Sequence, residues 1–312
     1  MGWNNILFKG VSFRVARLSF VLAMIAAIVS CDKVTVDDDP NEGKEMVTFD
    51  VMNVDNLLPL GDTSTNPSGA STRAANTSTR ALEDNCNRIS LAIFSYEDGS
   101  KVMQVDQTYL DEDFGLFTVW LARGKYYVVL LAYTSKEPAT IDSPSAVSFY
   151  NNSVKDTFYK YAGINVGATN RSYSFTLQRA TSLIRLEITG DIPDTASRLT
   201  LKVSSPSLVF NPKDGVGATS QNVTVGWTIS QAKKIYDIYV FAMENPQILE
   251  ALTYTATGTD NTVIRQLNYE NVIHIAPNNM TLIKGDFFKT RAKSSIEIDD
   301  TWEWTNEYDI PE

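Results

Sequence analysis

The chain has 312 residues and a formal net charge of -10, with 37 acidic side chains against 27 lysines and arginines. That balance argues against nucleic acid or an anionic lipid surface as a partner, because both repel a polyanion. The only histidine is His274 and the only cysteines are Cys31 and Cys86, so a His-dependent triad, a multi-histidine metal site and a disulfide framework are all excluded unless another chain contributes.

At the N-terminus, Lys9, Arg14 and Arg17 precede a stretch from Leu18 to Val29 whose only polar member is Ser19. This has the form of a signal peptide, residues 1–30, and at about a dozen apolar residues it falls short of the roughly twenty that a membrane-spanning helix needs. The stretch closes on Ile28, Val29, Ser30 and Cys31, which resembles the lipobox of bacterial lipoproteins. The resemblance implies cleavage before Cys31, diacylglycerol on its thiol and an acylated new amino terminus, a covalent lipid and no other cofactor. Several acyl chains anchor stably where one binds reversibly. An acidic tether follows over residues 31–45, with Asp37, Asp38, Asp39, Pro40 and Gly43, and reads as solvated and extended. Counted from Asp37, the sixth place of a calcium loop is Glu42 and not glycine, so no metal is expected. Acidic residues just after the lipidated cysteine also resemble the signal that sends lipoproteins of some anaerobic Gram-negative bacteria to the outer face of the outer membrane. With Cys31 acylated, Cys86 has no partner for an intramolecular disulfide.

From residue 46 onward the dominant signal is period two, in short runs rich in Val, Ile, Tyr, Phe and Thr. Strands are expected over 46–52, 89–96, 116–121, 125–132, 173–177, 182–188, 199–203, 223–228, 235–242, 262–267, 272–275 and 295–298, with one short helix over 145–159. In "RLTLKV", Leu199, Leu201 and Val203 share one face and Thr200 and Lys202 the other, as in a strand wet on one side. "YYVVLLA" is apolar on both faces and should be a central strand. The segment 61–85 is built from Ser, Thr, Asn, Gly and Ala and reads as an exposed loop. The texture shifts again near Leu177 to Ala180. The expected fold is all-β: two tandem antiparallel, transthyretin-like β-sandwich domains over 46–178 and 179–312.

Catalytic signals are weak, and no enzyme is expected. Ser230 and Lys233 have the SxxK spacing of penicillin-recognising enzymes, but the SDN and KTG companions are missing. "GVGATS" at 215–220 opens no helix and reads as a hairpin or bulge loop. Trp302 and Trp304 alternate in "DDTWEWTNEYDI", either as a cover for the second core or an interface, or as a platform for sugar rings.

Three stretches taken together resemble the fimbrillins, pilus subunits of anaerobic Gram-negative bacteria. They are "FTLQRATSLIRLEITGDIP" (Phe175 to Pro193), "IAPNNMTLIKGDFF" (Ile275 to Phe288), and the layout of lipobox, acidic tether, strand and polar loop ending in "TRA". The resemblance implies a surface lipoprotein whose first strand, bearing Val47, Phe49 and Val51, is released when an arginine-specific protease cuts after Arg73 or Arg80. A neighbouring subunit's strand then fills the groove, with the donor in the C-terminal tail around Trp302 and Trp304. It further implies a pilus subunit or its membrane anchor, partnered by other pilus subunits, the outer membrane through its lipid, and a host surface or glycan. Arg73 and Arg80 also read as plain solvated loop residues. The alternative function is a surface glycan-binding lipoprotein of a nutrient-uptake system.

Overall fold

The computed structural model describes residues 41–54, 82 and 86–289, and the backbone of 304–306. The first set of strands is β1 (Lys44–Val54), β2 (Arg88–Ser95), β3 (Lys101–Thr108), β4 (Leu116–Ala122), β5 (Gly124–Tyr133), β6 (Thr140–Ser143), β7 (Ala146–Ser148), β8 (Thr157–Val166) and β9 (Ser172–Arg179). The second is β10 (Ser182–Ile188), β11 (Ala196–Val203), β12 (Phe210–Asn211), β13 (Val216–Gly217), β14 (Val223–Thr228), β15 (Ile235–Val240), β16 (Gln247–Ile248), β17 (Ala251–Gly258), β18 (Val263–Glu270), β19 (His274–Ile275), β20 (Asn279–Gly285) and β21 (Trp304–Asn306). There is no α-helix among the described residues, so the all-β expectation holds.

The first set forms a sheet in the order β3-β2-β5-β8-β9-β1-β4. β8 and β9 pair only at Phe158↔Arg179 and Tyr159↔Gln178, which leaves the sheet free to fold over at that corner. Inward side chains of β1, β4 and β9, among them Phe49, Phe117 and Leu177, then meet Leu91 of β2, Leu130 of β5 and Phe158 of β8 in one core. As "YYVVLLA" implied, β5 is central, pairing with β2 and β8, and its Val128, Leu130 and Ala132 enter this core while Val129, Leu131 and Tyr133 enter another.

Seven strands of the second set repeat the arrangement of seven in the first, and β21 adds one beyond β20. The repeated strands run β14-β11-β17-β18 and β20-β10-β15, the same order as β3-β2-β5-β8 and β9-β1-β4. Pairing senses match as well: β1 is antiparallel to β4 and parallel to β9, and β10 is antiparallel to β15 and parallel to β20. Each set closes a core of its own, the second from residues such as Leu186, Leu201, Tyr254 and Ile283. A third core joins them, with Phe94, Leu131 and Phe149 on one side and Phe210 and Phe241 on the other. Phe210 pairs with Val147 across the join, and its ring lies 4.7 Å from Tyr159 and 4.9 Å from Phe241. The "GVGATS" stretch opens at the turn of the β12–β13 hairpin, as its sequence suggested. Gly215 holds φ +74 there, and a Cβ on it would strike the Tyr159 hydroxyl.

The helix expected over 145–159 does not form. The segment holds β7, a single 3-10 turn at Tyr150–Asn152 and the start of β8, because Asn151 and Asn152 take φ +54 and +53. Val147 and Phe149 alternate into the third core. Of the strands of six or more residues, β3, β8, β17 and β20 went unread in the sequence. In β17, Thr and Ala dilute the alternation of Leu252, Tyr254 and Ala256, all three fully buried. The strand expected over 295–298 lies outside the described residues.

Two core phenols, Tyr254 and Tyr269, have hydroxyls with no hydrogen-bond partner among the described residues. Burial pushes both far above the usual tyrosine range. Tyr254→Phe removes an unmet donor and is expected to stabilise the protein by about 1 kcal/mol at neutral pH. Above about pH 10 the unfolded phenol ionises while the folded one keeps its proton, so stability falls as pH rises. Urea midpoints at neutral pH and at about pH 11 check both points: the variant should start higher and lose less.

Candidate functional site

Among the described residues no group of His, Cys, Asp and Glu is arranged to hold a metal. Ser230 and Lys233 bridge across one tight turn, and the Lys233 ammonium lies over the Tyr236 ring at 5.0 Å, so the pair is a turn and not a nucleophile with its base. His274 is half-buried in β19, where its carbonyl accepts a hydrogen bond from Thr281 Oγ1 at 2.8 Å.

The built feature is the seat of β1. Alternation in "MVTFDVM" buries Val47 and Phe49 completely and leaves Val51 8% exposed, while Met46 and Met52 on the other face are 49% and 68% exposed. The strand lies between two partners: antiparallel to β4 from Lys44↔Ala122 to Asp50↔Leu116, and parallel to β9 from Thr48↔Ser172 to Val54↔Leu177. Phe49 stacks on Tyr173 at 5.6 Å and on Phe175 at 6.5 Å. At the polar end Glu45 accepts from both Arg123 and Arg171, each at 2.7 Å. Those arginines are 63% and 46% exposed, so the pairs contribute little. Thr48 Oγ1 lies 3.1 Å from Ser172 Oγ as donor. Burying three apolar side chains is worth about 4 to 9 kcal/mol as an upper bound, comparable to the net stability of a whole domain.

β4 has no strand partner but β1 among the described residues. Taking β1 away would therefore strip the ladder from β4 and one edge from β9, opening a slot along the core. Its counterpart β10 sits in the same position in the second set, but residues 189–195 alone link it to β11, whereas residues 55–87 link β1 to β2. Of these two counterparts, β1 has much the longer link to the strand that follows.

Arg73, Arg80, Trp302 and the lipobox residues Ile28, Val29, Ser30 and Cys31 lie outside the described residues. Trp304 belongs to β21, whose backbone runs parallel to β20 with Trp304 opposite Asn279. Sequence reasoning found Val47, Phe49 and Val51 but not the residues that receive them. Phe117, Val119 and Leu121 of β4 and Tyr173 and Phe175 of β9 alternate visibly, yet nothing local marks them as neighbours of β1. The Tyr173 phenol is pushed up by burial, with its hydrogen bond to the Asn165 carbonyl at 2.7 Å acting the other way.

The described residues form an all-β protein of two units that share a seven-strand arrangement. No protein-family model matches its sequence, and no curated protein matches it. Among solved structures, a fimbrial assembly protein from Parabacteroides distasonis is 10% identical, with 85% of this chain and 98% of the other covered and a TM-score of 0.42. A C-terminally truncated tip fimbrial protein, Mfa3 of Porphyromonas gingivalis, is 11% identical over 80% and 97% of the two chains, with a TM-score of 0.39. The fimbrial anchor protein Mfa2 of the same organism is 9% identical over 74% and 83%, also at 0.39. Likeness of this degree does not by itself transfer a role to this chain.

Proposed function

We propose that the chain is a structural or adhesive subunit of a cell-surface pilus, or its membrane anchor, exported as a lipoprotein on Cys31 and assembled by strand exchange. The observation that carries this reading is the seat of β1: an interior strand with three buried side chains, joined to the rest of the fold by a long polar segment containing Arg73 and Arg80. A cut after either arginine frees the strand. The emptied slot then asks for a strand that runs parallel to β9 and antiparallel to β4, with apolar groups at alternate positions. In the C-terminal tail of a second copy, Ile296, Ile298, Trp302 and Trp304 all fall on one parity. Lipid on Cys31 holds the uncut chain at the outer membrane, and an uncut chain suits the anchor role. No catalysis is assigned to it.

Intact mass and N-terminal sequence of the protein taken from the surface of cells that express it natively provide the test. A chain beginning at Ala74 or Ala81 and free of lipid is the expected form of a polymerising subunit. A lipidated chain beginning at Cys31 would exclude a polymerising stalk and leave either the anchor role or a surface glycan-binding lipoprotein, and an unlipidated chain that retains β1 would sink the whole reading.

A further inference from the structure

Where β5 ends, the chain turns over the start of β2 and a cleft of about 370 Å³ opens, lined in part by Asn87, Ser135, Lys136, Tyr150, Asn151 and Lys155. Its size suits one small ligand unit. Both of its walls are held from behind. The Asn87 side chain accepts from the Ser135 backbone N–H at 2.9 Å, and the Arg88 guanidinium donates to the Ser135 carbonyl at 3.2 Å and to the Lys136 carbonyl at 2.5 Å. The opposite turn is pinned by Phe149, whose ring packs in the third core 5.4 Å from Tyr133 and 5.9 Å from Phe241. Backbone bonds from Asn152 to Phe149 at 2.9 Å and from Ser153 to Tyr150 at 3.1 Å close that turn and turn Tyr150 outward, 47% exposed.

In a chain of net charge -10, this cleft carries two lysines, and no carboxylate lines it among the described residues. Neither Lys136 nor Lys155 forms an ion pair with another described residue. Two acids adjoin these lysines in sequence: Asp156, next to Lys155, is held by Arg179 in a two-point contact at 2.9 and 3.1 Å, and Glu137, next to Lys136, is exposed and does not line the cleft. Two uncommitted cations, an exposed phenol ring, and amide and hydroxyl groups on a fixed scaffold match one ligand chemistry.

We propose that the cleft binds a carboxylated sugar residue, of the sialic or uronic acid class, presented on a glycan. The lysines hold the carboxylate as point charges, the apolar face of the sugar ring packs on Tyr150, and Ser135 and Asn151 meet its hydroxyls. A neutral sugar leaves the two ammonium groups unmet and binds less well. The site is independent of β1, so a cut or an uncut chain binds alike.

Calorimetric titration of the full chain with 3′-sialyllactose and digalacturonic acid, each against an uncharged counterpart (lactose, cellobiose), tests this. At least one acid should bind saturably and about tenfold or more tighter than its neutral counterpart. Lys136→Gln with Lys155→Gln should erase that difference, Tyr150→Ala should weaken binding about tenfold, and the exposed control Lys202→Gln on β11 should change nothing. All these side chains are exposed, so unaltered thermal midpoints verify that the variants fold. Absence of saturable binding by both acids, equal affinity for acid and neutral sugars, or affinity indifferent to the lysine and tyrosine changes would each overturn the proposal.

Discussion

Replacing Phe49 by alanine is expected to destabilise the uncut protein by roughly 3 to 5 kcal/mol, the range for removing a buried phenyl ring from a close-packed core. The ring is fully buried, stacked on Tyr173 and Phe175, and clustered with Phe117 from the far side of the strand. No neighbour can swing in to fill the space, because β4 and β9 flank β1 and are held in register along most of its length. For a body of this size the thermal midpoint should fall by on the order of 10 °C. Met52→Ala, at a position 68% exposed on the opposite face of the same strand, should stay within about 0.5 kcal/mol. Urea unfolding of the two variants makes the comparison. The same loss of packing should loosen a severed β1, so after cleavage the fragment should dissociate faster from the Phe49→Ala protein than from the parent. A cost under about 1 kcal/mol for Phe49→Ala would mean that β1 is not firmly seated and would remove the basis for strand exchange.

Arg179→Ala is expected to cost a similar amount, about 3 to 5 kcal/mol, through a different mechanism. The Arg179 side chain is only 2% exposed at the end of β9. It binds both carboxylate oxygens of Asp156 at 2.9 and 3.1 Å, donates to Asn278 Oδ1 at 3.0 Å and covers the Phe158 ring at 5.0 Å. Asp156 precedes β8 and Asn278 precedes β20, so one guanidinium ties the first set of strands to the second. Alanine leaves the Asp156 carboxylate, 18% exposed, with Thr181 as its remaining side-chain donor at 3.2 Å. Arg179→Lys should recover only part of the loss, since an ammonium cannot reach both carboxylate oxygens and the Asn278 amide in one plane. Calorimetry should also show the single unfolding transition broadening as the two sets begin to unfold apart. A cost under about 1 kcal/mol, with a transition as sharp as the parent's, would show that the shared core around Phe210 and Phe241 alone holds the join.

Most of the longer strands were legible from alternation and β-branched content, β10 and β11 being the clearest. The failures have separate local causes. Tyr150–Asn152 adopts left-handed backbone at two asparagines, which a helical reading of 145–159 cannot anticipate, and β17 spends its exposed positions on threonine and its buried ones partly on alanine. Of the candidate site, the inward trio Val47, Phe49 and Val51 was legible because strand parity assigns faces. The receiving trio Phe117, Val119 and Leu121 was not, because parity says nothing about which strand comes next in a sheet. Arg179 stood in a stretch read for its family likeness. That it is buried and bridges to Asn278 depends on residues about a hundred positions apart.

By itself, the sequence determined the strand-rich class, the central place of β5, the inward face of β1 and the long polar link that follows it. These are local properties: alternation, composition and turn chemistry act over a few residues and survive in any fold that uses them. Only the tertiary structure decided that β1 lies between β4 and β9, that the second set of strands repeats the topology of the first, and that a third core joins them. Those facts rest on contacts such as Phe49 with Tyr173 and Phe149 with Phe241, made between residues far apart in the chain. Their free energy appears only once the whole sheet order is in place, so no local pattern encodes it.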